Sequence, residues 1–132
     1  MRVRFAGYAA IFGRPDKSGD VIQKGAFERS LREREAVPLL WQHKGAAIGR
    51  IAHLSEDNRG LRVIAELGGS KEAERVARLL KGGRLAGLSF GYRVREAKQD
   101  GARRELVELD LVEVSLVARP MQPKARVHAV VE

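Results

Sequence analysis

The chain has 132 residues and a formal charge of +8, from 25 Lys and Arg against 17 Asp and Glu, with 44% apolar residues and no cysteine. A length of this order holds one compact domain, and the apolar share supplies a core, which argues against disorder despite the charge. The lack of cysteine removes disulfides, thiolate metal sites and cysteine nucleophiles together; no run approaches the roughly 18 apolar residues of a membrane-spanning helix, and the start MRVRFAGYAAIFG lacks the pattern of a signal peptide. A soluble, intracellular protein is expected.

The positive balance raises a nucleic-acid reading, because clustered Lys and Arg release phosphate counterions. Here the cations are spread and interleaved with acids, as in Glu28-Arg29-Ser30-Leu31-Arg32-Glu33-Arg34-Glu35 and Lys71-Glu72-Ala73-Glu74-Arg75. Such runs read as solvated helix faces. With 5% aromatic residues there is no ladder of stacking platforms either. Specific nucleic-acid binding is therefore not expected, and a basic nucleic-acid-binding barrel stands only as a third reading. Arg outnumbers Lys 18 to 7, which a GC-rich genome explains as readily as carboxylate recognition.

Residues 3–12 read as a strand, and Gly13 to Gly19 as a loop dense in turn formers. Gly25 to Glu35 sets Ala26, Phe27, Ser30 and Leu31 on one side at helical spacing. Val37 to His43 is a second strand, with Pro38 near its start, where a missing amide costs least. Strands over 49–54 and 61–67 flank Glu56-Asp57-Asn58-Arg59-Gly60, whose composition suits a hairpin turn. Ser70 can cap a helix to Lys81, with acids early and cations late, ended by Gly82 and Gly83. Strands over 85–95 and 103–118 with a turn at Gln99-Asp100-Gly101 form a hairpin, and after Pro120 and Pro123 a last strand covers 125–131. About seven strands and two helices predict a mainly β fold: a β-barrel or strongly curved mixed sheet, flanked by two or more helices, in a single domain over 1–132.

Three residues break the pattern. In Gly87-Leu88-Ser89-Phe90-Gly91, strand alternation puts Ser89 between two glycines on one face. The hydroxyl then stands either in a strip cleared for an extended peptide or at a crowded barrel corner. Alternation groups His43 with Val37, Leu39 and Trp41 on a mostly apolar face, as a satisfied core histidine or a catalytic one. Glu113 shares a face with Val107, Leu109, Leu111 and Val117, whereas Glu108 and Asp110 take the other. A carboxylate among such neighbours needs a partner, either one of the many arginines or a histidine. One Ser, one His and one buried acid are the parts of activated-serine acyl transfer.

The blocks Gly7-Tyr8-Ala9-Ala10-Ile11-Phe12-Gly13, Ser18-Gly19-Asp20-Val21-Ile22 with Gly25-Ala26-Phe27, Leu40-Trp41-Gln42-His43, Leu88-Ser89-Phe90-Gly91-Tyr92 and Val112-Glu113-Val114-Ser115-Leu116-Val117 with Pro120 occur in this order along nearly the whole chain. Together they resemble the prohead (capsid maturation) proteases of HK97-type tailed phages, a family that includes proteases of gene transfer agents and is distantly similar to the herpesvirus assemblins. The resemblance implies an assemblin-like β fold surrounded by helices. It implies a serine endopeptidase that cleaves scaffold, or the scaffolding segment of the major capsid protein, inside the assembling prohead in the host bacterial cytoplasm, with self-cleavage and no cofactor or metal. Carried over by position, Ser89 is the nucleophile, His43 the general base and Glu113 the acid, with Asp110 as runner-up. Gly87, Gly91 and Arg119 fall where substrate and oxyanion contacts are expected.

The implied partners are the major capsid protein or scaffold, with a homo-oligomer left open and no membrane. Many members continue past the block Pro123-Lys124-Ala125-Arg126-Val127, whereas this sequence stops at Glu132. A processed or minimal protease and a targeting function on another chain are the two expectations that follow. The competing reading is a non-catalytic capsid-assembly or scaffold-binding domain of the same fold, pairing an edge strand with an extended partner.

Overall fold

A computed structural model describes residues 2–34 and 36–132. In chain order its elements are β1 (Arg4–Ile11), β2 (Asp20–Ile22), α1 (Glu28–Glu33), β3 (Leu39–Trp41), β4 (Lys44–Glu56), β5 (Gly60–Leu67), α2 (Lys71–Lys81), β6 (Gly87–Asp100), β7 (Arg103–Val117) and β8 (Val127–Val131). The apolar alternation of β7 makes it the centre of the sheet. One edge pairs antiparallel with β6 along nearly its whole length. The other edge takes two short parallel partners, β2 against Arg104 to Leu106 and β3 against Val114 to Leu116. From β3 the sheet continues through β4, β5 and β1 to β8.

The eight strands of the described residues lie in this one mixed sheet, which is not closed. A single antiparallel bridge between Gly87 and Arg126 links the start of β6 to the segment before β8. Of the two predicted architectures, the open mixed sheet and not the closed barrel is the one that forms. Its core side holds Phe5, Phe27, Leu39, Leu61, Leu88, Leu109 and Leu111, all fully buried.

The helix α2 forms where its local signals put it. Ser70 Oγ accepts the Ala73 N–H at 3.1 Å, and Ala73, Val76, Ala77 and Leu80 are buried on one stripe. The helix α1 is shorter than the predicted Gly25–Glu35, and its end at Glu35 lies outside the described residues. Residues 25–27 instead turn, with the N–H groups of Gly25 and Phe27 held by the Glu56 carboxylate at 2.9 and 2.8 Å. Six residues are too few for a helix stable by propensity. Tertiary contacts hold it: Ser30 Oγ accepts the Leu111 N–H at 2.9 Å, and Arg29 reaches Asp110 at 2.6 Å. Among the described residues no helix is long and apolar enough to cross a membrane.

Three features depart from the prediction for physical reasons. The strand predicted over Val37–His43 ends at Trp41, because Gln42 and His43 take left-handed backbone angles, φ 54° and 65°. The short strand β2, hidden behind a turn-rich loop, forms by parallel pairing that three residues cannot announce. Irregular pairing between Val94 and Ala97 shifts the face of β7, so that Leu106 and not Val107 is buried alongside Leu109.

Candidate active site

The β3–β4 connection is a tight reversal laid against β7. The Gln42 N–H donates to the Leu116 carbonyl at 3.0 Å, Gln42 Oε1 accepts the Ala118 N–H at 3.0 Å, and the His43 N–H donates to Ser115 Oγ at 3.0 Å. Two consecutive non-glycine residues in the left-handed region cost about 1–3 kcal/mol each, and these three bonds, to β7 and to the residue that follows it, oppose that cost. The reversal takes His43 off the apolar face that strand alternation assigned to it. Its side chain is 43% exposed and turns toward Glu113.

His43 Nδ1 lies 2.5 Å from Glu113 Oε1. The second carboxylate oxygen, Oε2, accepts the Ser115 hydroxyl at 2.6 Å. Glu113 is 7% exposed, so it is a buried carboxylate whose two oxygens are both engaged, and its partner is the histidine and not an arginine. A carboxylate only accepts, which assigns the imidazole proton to Nδ1 and leaves the Nε2 lone pair free.

Ser89 stands on β6 directly opposite Ser115 of β7 and is also 7% exposed. It lines a cavity of about 200 Å3 together with His43, Phe90, Tyr92, Arg119 and Gln122. No hydrogen bond joins Ser89 to His43 among the described residues. Burial, reinforced by the nearby Asp20 and Asp16 carboxylates, pushes the Tyr92 phenol above its ordinary value, so this wall of the cavity keeps its proton at neutral pH.

Of the two readings of the glycines around Ser89, the crowded position is the one that the structure supports. The strip they clear is filled from within. A side chain at Gly87 would run into the Val117 carbonyl at 2.6 Å and the Pro120 ring at 2.9 Å, and one at Gly91 into the Glu113 carboxylate. Neither glycine lines the cavity, whereas Arg119 does. Asp110 is turned away from His43 and pairs with Arg29 at 2.6 Å and Arg95 at 3.5 Å. Ser115, fully buried between Glu113 and the His43 backbone, was not singled out from sequence. The same alternation that groups Glu113 with Leu111 and Val117 includes it. Among the described residues no group of three or more His, Asp or Glu is placed to hold a metal ion.

The strand that bears Ser89, the β3–β4 reversal that bears His43 and the buried Glu113 of β7 are arranged on a known fold. KSHV protease, solved with a hexapeptide phosphonate inhibitor, matches with a TM-score of 0.71 at 13% identity, over 100% of this chain and 66% of that one. The bacteriophage T4 capsid assembly protease matches with a TM-score of 0.71 at 12% identity, over 89% of this chain and 82% of that one. At such identities the likeness is one of fold. In sequence, the prohead protease of Enterobacteria phage HK97 is 34% identical over 100 residues, which cover 73% of this chain and 44% of that protein. The chain thus spans less than half the length of this relative. Residues 1–132 match the family described as Caudovirus prohead serine protease, and to that family of serine peptidases this chain belongs.

Proposed function

We propose that this chain is a serine endopeptidase that cleaves scaffold, or the scaffolding segment of the major capsid protein, inside an assembling phage-type prohead in the bacterial cytoplasm, and that it also cleaves itself. Ser89 is the nucleophile. His43 Nε2 takes the hydroxyl proton as Ser89 Oγ adds to the scissile carbonyl carbon, and then gives that proton to the leaving amine as the C–N bond breaks. Water repeats the sequence on the acyl-enzyme and restores Ser89. Glu113 holds the Nδ1–H tautomer and stabilises the imidazolium. Backbone amides near Arg119 are the oxyanion donors.

The observation that carries this reading is the 2.5 Å contact between His43 Nδ1 and Glu113 Oε1, with His43 and Ser89 lining one cavity. Family membership supports the reaction class, and the fold shared with the T4 capsid assembly protease supports the setting. Co-expression with the cognate capsid protein, followed by mass measurement of both chains, tests it. The native chain shortens its partner and itself, whereas Ser89→Ala, losing on the order of 10⁶ in turnover, leaves both intact while remaining folded. Undiminished cleavage by folded Ser89→Ala overturns the proposal.

A further inference from the structure

A second concave site shares no lining residue with the Ser89 cavity: Tyr8 of β1 lines it, whereas the next residue, Ala9, lines the cavity. The hollow has a volume of about 550 Å3, within the range of ligand sites. Tyr8, Arg59, Arg62, Lys124, Arg126 and His128 line it, and no carboxylate does. Elsewhere Arg2, Arg29, Lys81, Arg95 and Arg104 each contact a carboxylate. Among the described residues Arg59, Arg62, Lys124 and Arg126 form no such ion pair. The adjacent acid, Asp57, accepts from the Tyr8 hydroxyl at 2.5 Å and from the N–H groups of Arg59 and Gly60 at 2.8 and 3.1 Å, and its single charge, which also attracts Arg62, leaves the four cations in excess.

The lining is also held in position. The Arg59 guanidinium sits 5.3 Å over the Tyr8 ring, the His128 ring is 5.9 Å from Tyr8, and Arg62 Nη1 is 3.5 Å from His128 Nε2. Bringing like charges together costs free energy that an arriving anion recovers, and groups already in place lose little further entropy.

The same face turns apolar along the strands. Ala6 and Ile64 lie two residues from Tyr8 and Arg62, hence on the same side. With Ala129 and Val131 they line a hollow of about 180 Å3, and Val131 is 59% exposed. A phosphate backbone following the strands meets this apolar strip before the next cation, Arg4, whereas a polypeptide can carry acids and apolar residues in succession.

We propose that this face binds an extended acidic segment of a partner protein, with apolar residues beside its acids. The inference concerns binding alone and does not depend on catalysis by Ser89.

The test is fluorescence anisotropy on the full Ser89→Ala chain with three labelled probes of about ten units: a peptide of Asp and Glu followed by Leu and Val, the same peptide with Asn and Gln for the acids, and oligothymidine. The acidic peptide binds about tenfold tighter than either other probe, and Arg62→Glu/Lys124→Glu weakens it about tenfold. Lys98→Glu/Arg103→Glu removes the same charge on the β6–β7 turn, outside the groove, and keeps affinity within about threefold. Arg59→Gln/Lys124→Gln replaces the first pair should that pair fail to fold, with the same loss expected. Equal loss in both charge-reversed proteins, tighter binding of oligothymidine, or no binding of the acidic peptide at low salt overturns the proposal.

Discussion

Gly91 on β6 lies across the ladder from Glu113 on β7, and the Glu113 carboxylate folds over the space that a side chain at 91 would fill. The glycine therefore sets the path by which a glutamate, rather than a shorter acid, reaches His43 Nδ1. Gly91→Ala is expected to move Oε1 away from the imidazole. Overpacking costs about 1–3 kcal/mol, and the gain of alanine over glycine in a strand, about 0.5–1 kcal/mol, offsets part of it. The domain stays folded while turnover on a cognate peptide drops by about 10² or more. Denaturant unfolding and initial rates on the same sample check this, and a folded Gly91→Ala protein with full activity would show that the position of Glu113 does not limit the reaction.

Glu113→Gln separates the acid's charge from its shape. The amide can donate to Nδ1, which then becomes the acceptor and moves the imidazole proton to Nε2, where it blocks proton abstraction from Ser89. The expected loss in kcat is on the order of 10⁴, with KM little changed because no substrate contact is removed. Proton NMR supplies the second readout: the low-field resonance of a carboxylate-bound Nδ1–H is present in the native chain and absent in Glu113→Gln. A surviving resonance at that position would assign it to a group other than the His43–Glu113 pair.

Ser115 holds both ends of that pair. Its hydroxyl donates to Glu113 Oε2 at 2.6 Å and accepts the His43 N–H at 3.0 Å. Ser115→Ala leaves a backbone donor and one carboxylate oxygen without these partners, which costs about 1–3 kcal/mol. With the β3–β4 reversal less firmly held, kcat falls by about 10 to 10², and Ser115→Cys, retaining a weak donor, recovers part of it. On the proposed mechanism Ser115 acts as a positioning residue, and the check is that kcat falls while KM holds; a fall in stability with unchanged kcat would leave it a purely structural role.

The elements written in local sequence were legible. Ser70 with its ordered charges announced α2, and the alternation of β7 announced the long strand. Elements fixed by distant partners were not: β2 exists through Leu106 and its neighbours, and α1 is held where Ser30 and Arg29 bind β7. Of the proposed site, His43, Ser89 and Glu113 stood out in the sequence as residue types, but the geometry of His43 did not. Period-two reasoning assumes extended backbone, and Gln42 and His43 leave it. The contacts that make this departure possible come from Ser115, Leu116 and Ala118, more than seventy residues on.

Asp110 gives a prediction in pH. The hydrogen bond from Arg29, which lies between α1 and β7, holds the Asp110 carboxyl below the usual carboxylate range, against the opposing effect of burial, with Arg95 and Arg93 adding to it. A folded-state value lower than the unfolded one means that the stabilisation is fully present above the unfolded value, about 3.9 for Asp, and is lost as pH falls through the folded value. Asp110→Asn removes the charge at every pH. Urea unfolding should therefore find the variant less stable than the native chain from neutral pH down to about 4, with the gap closing below that. Because the pair is partly open to solvent, added salt should narrow the gap at neutral pH as well. A gap that persists unchanged to acid pH would assign the loss to packing at the α1–β7 contact rather than to the Arg29–Asp110 charge pair.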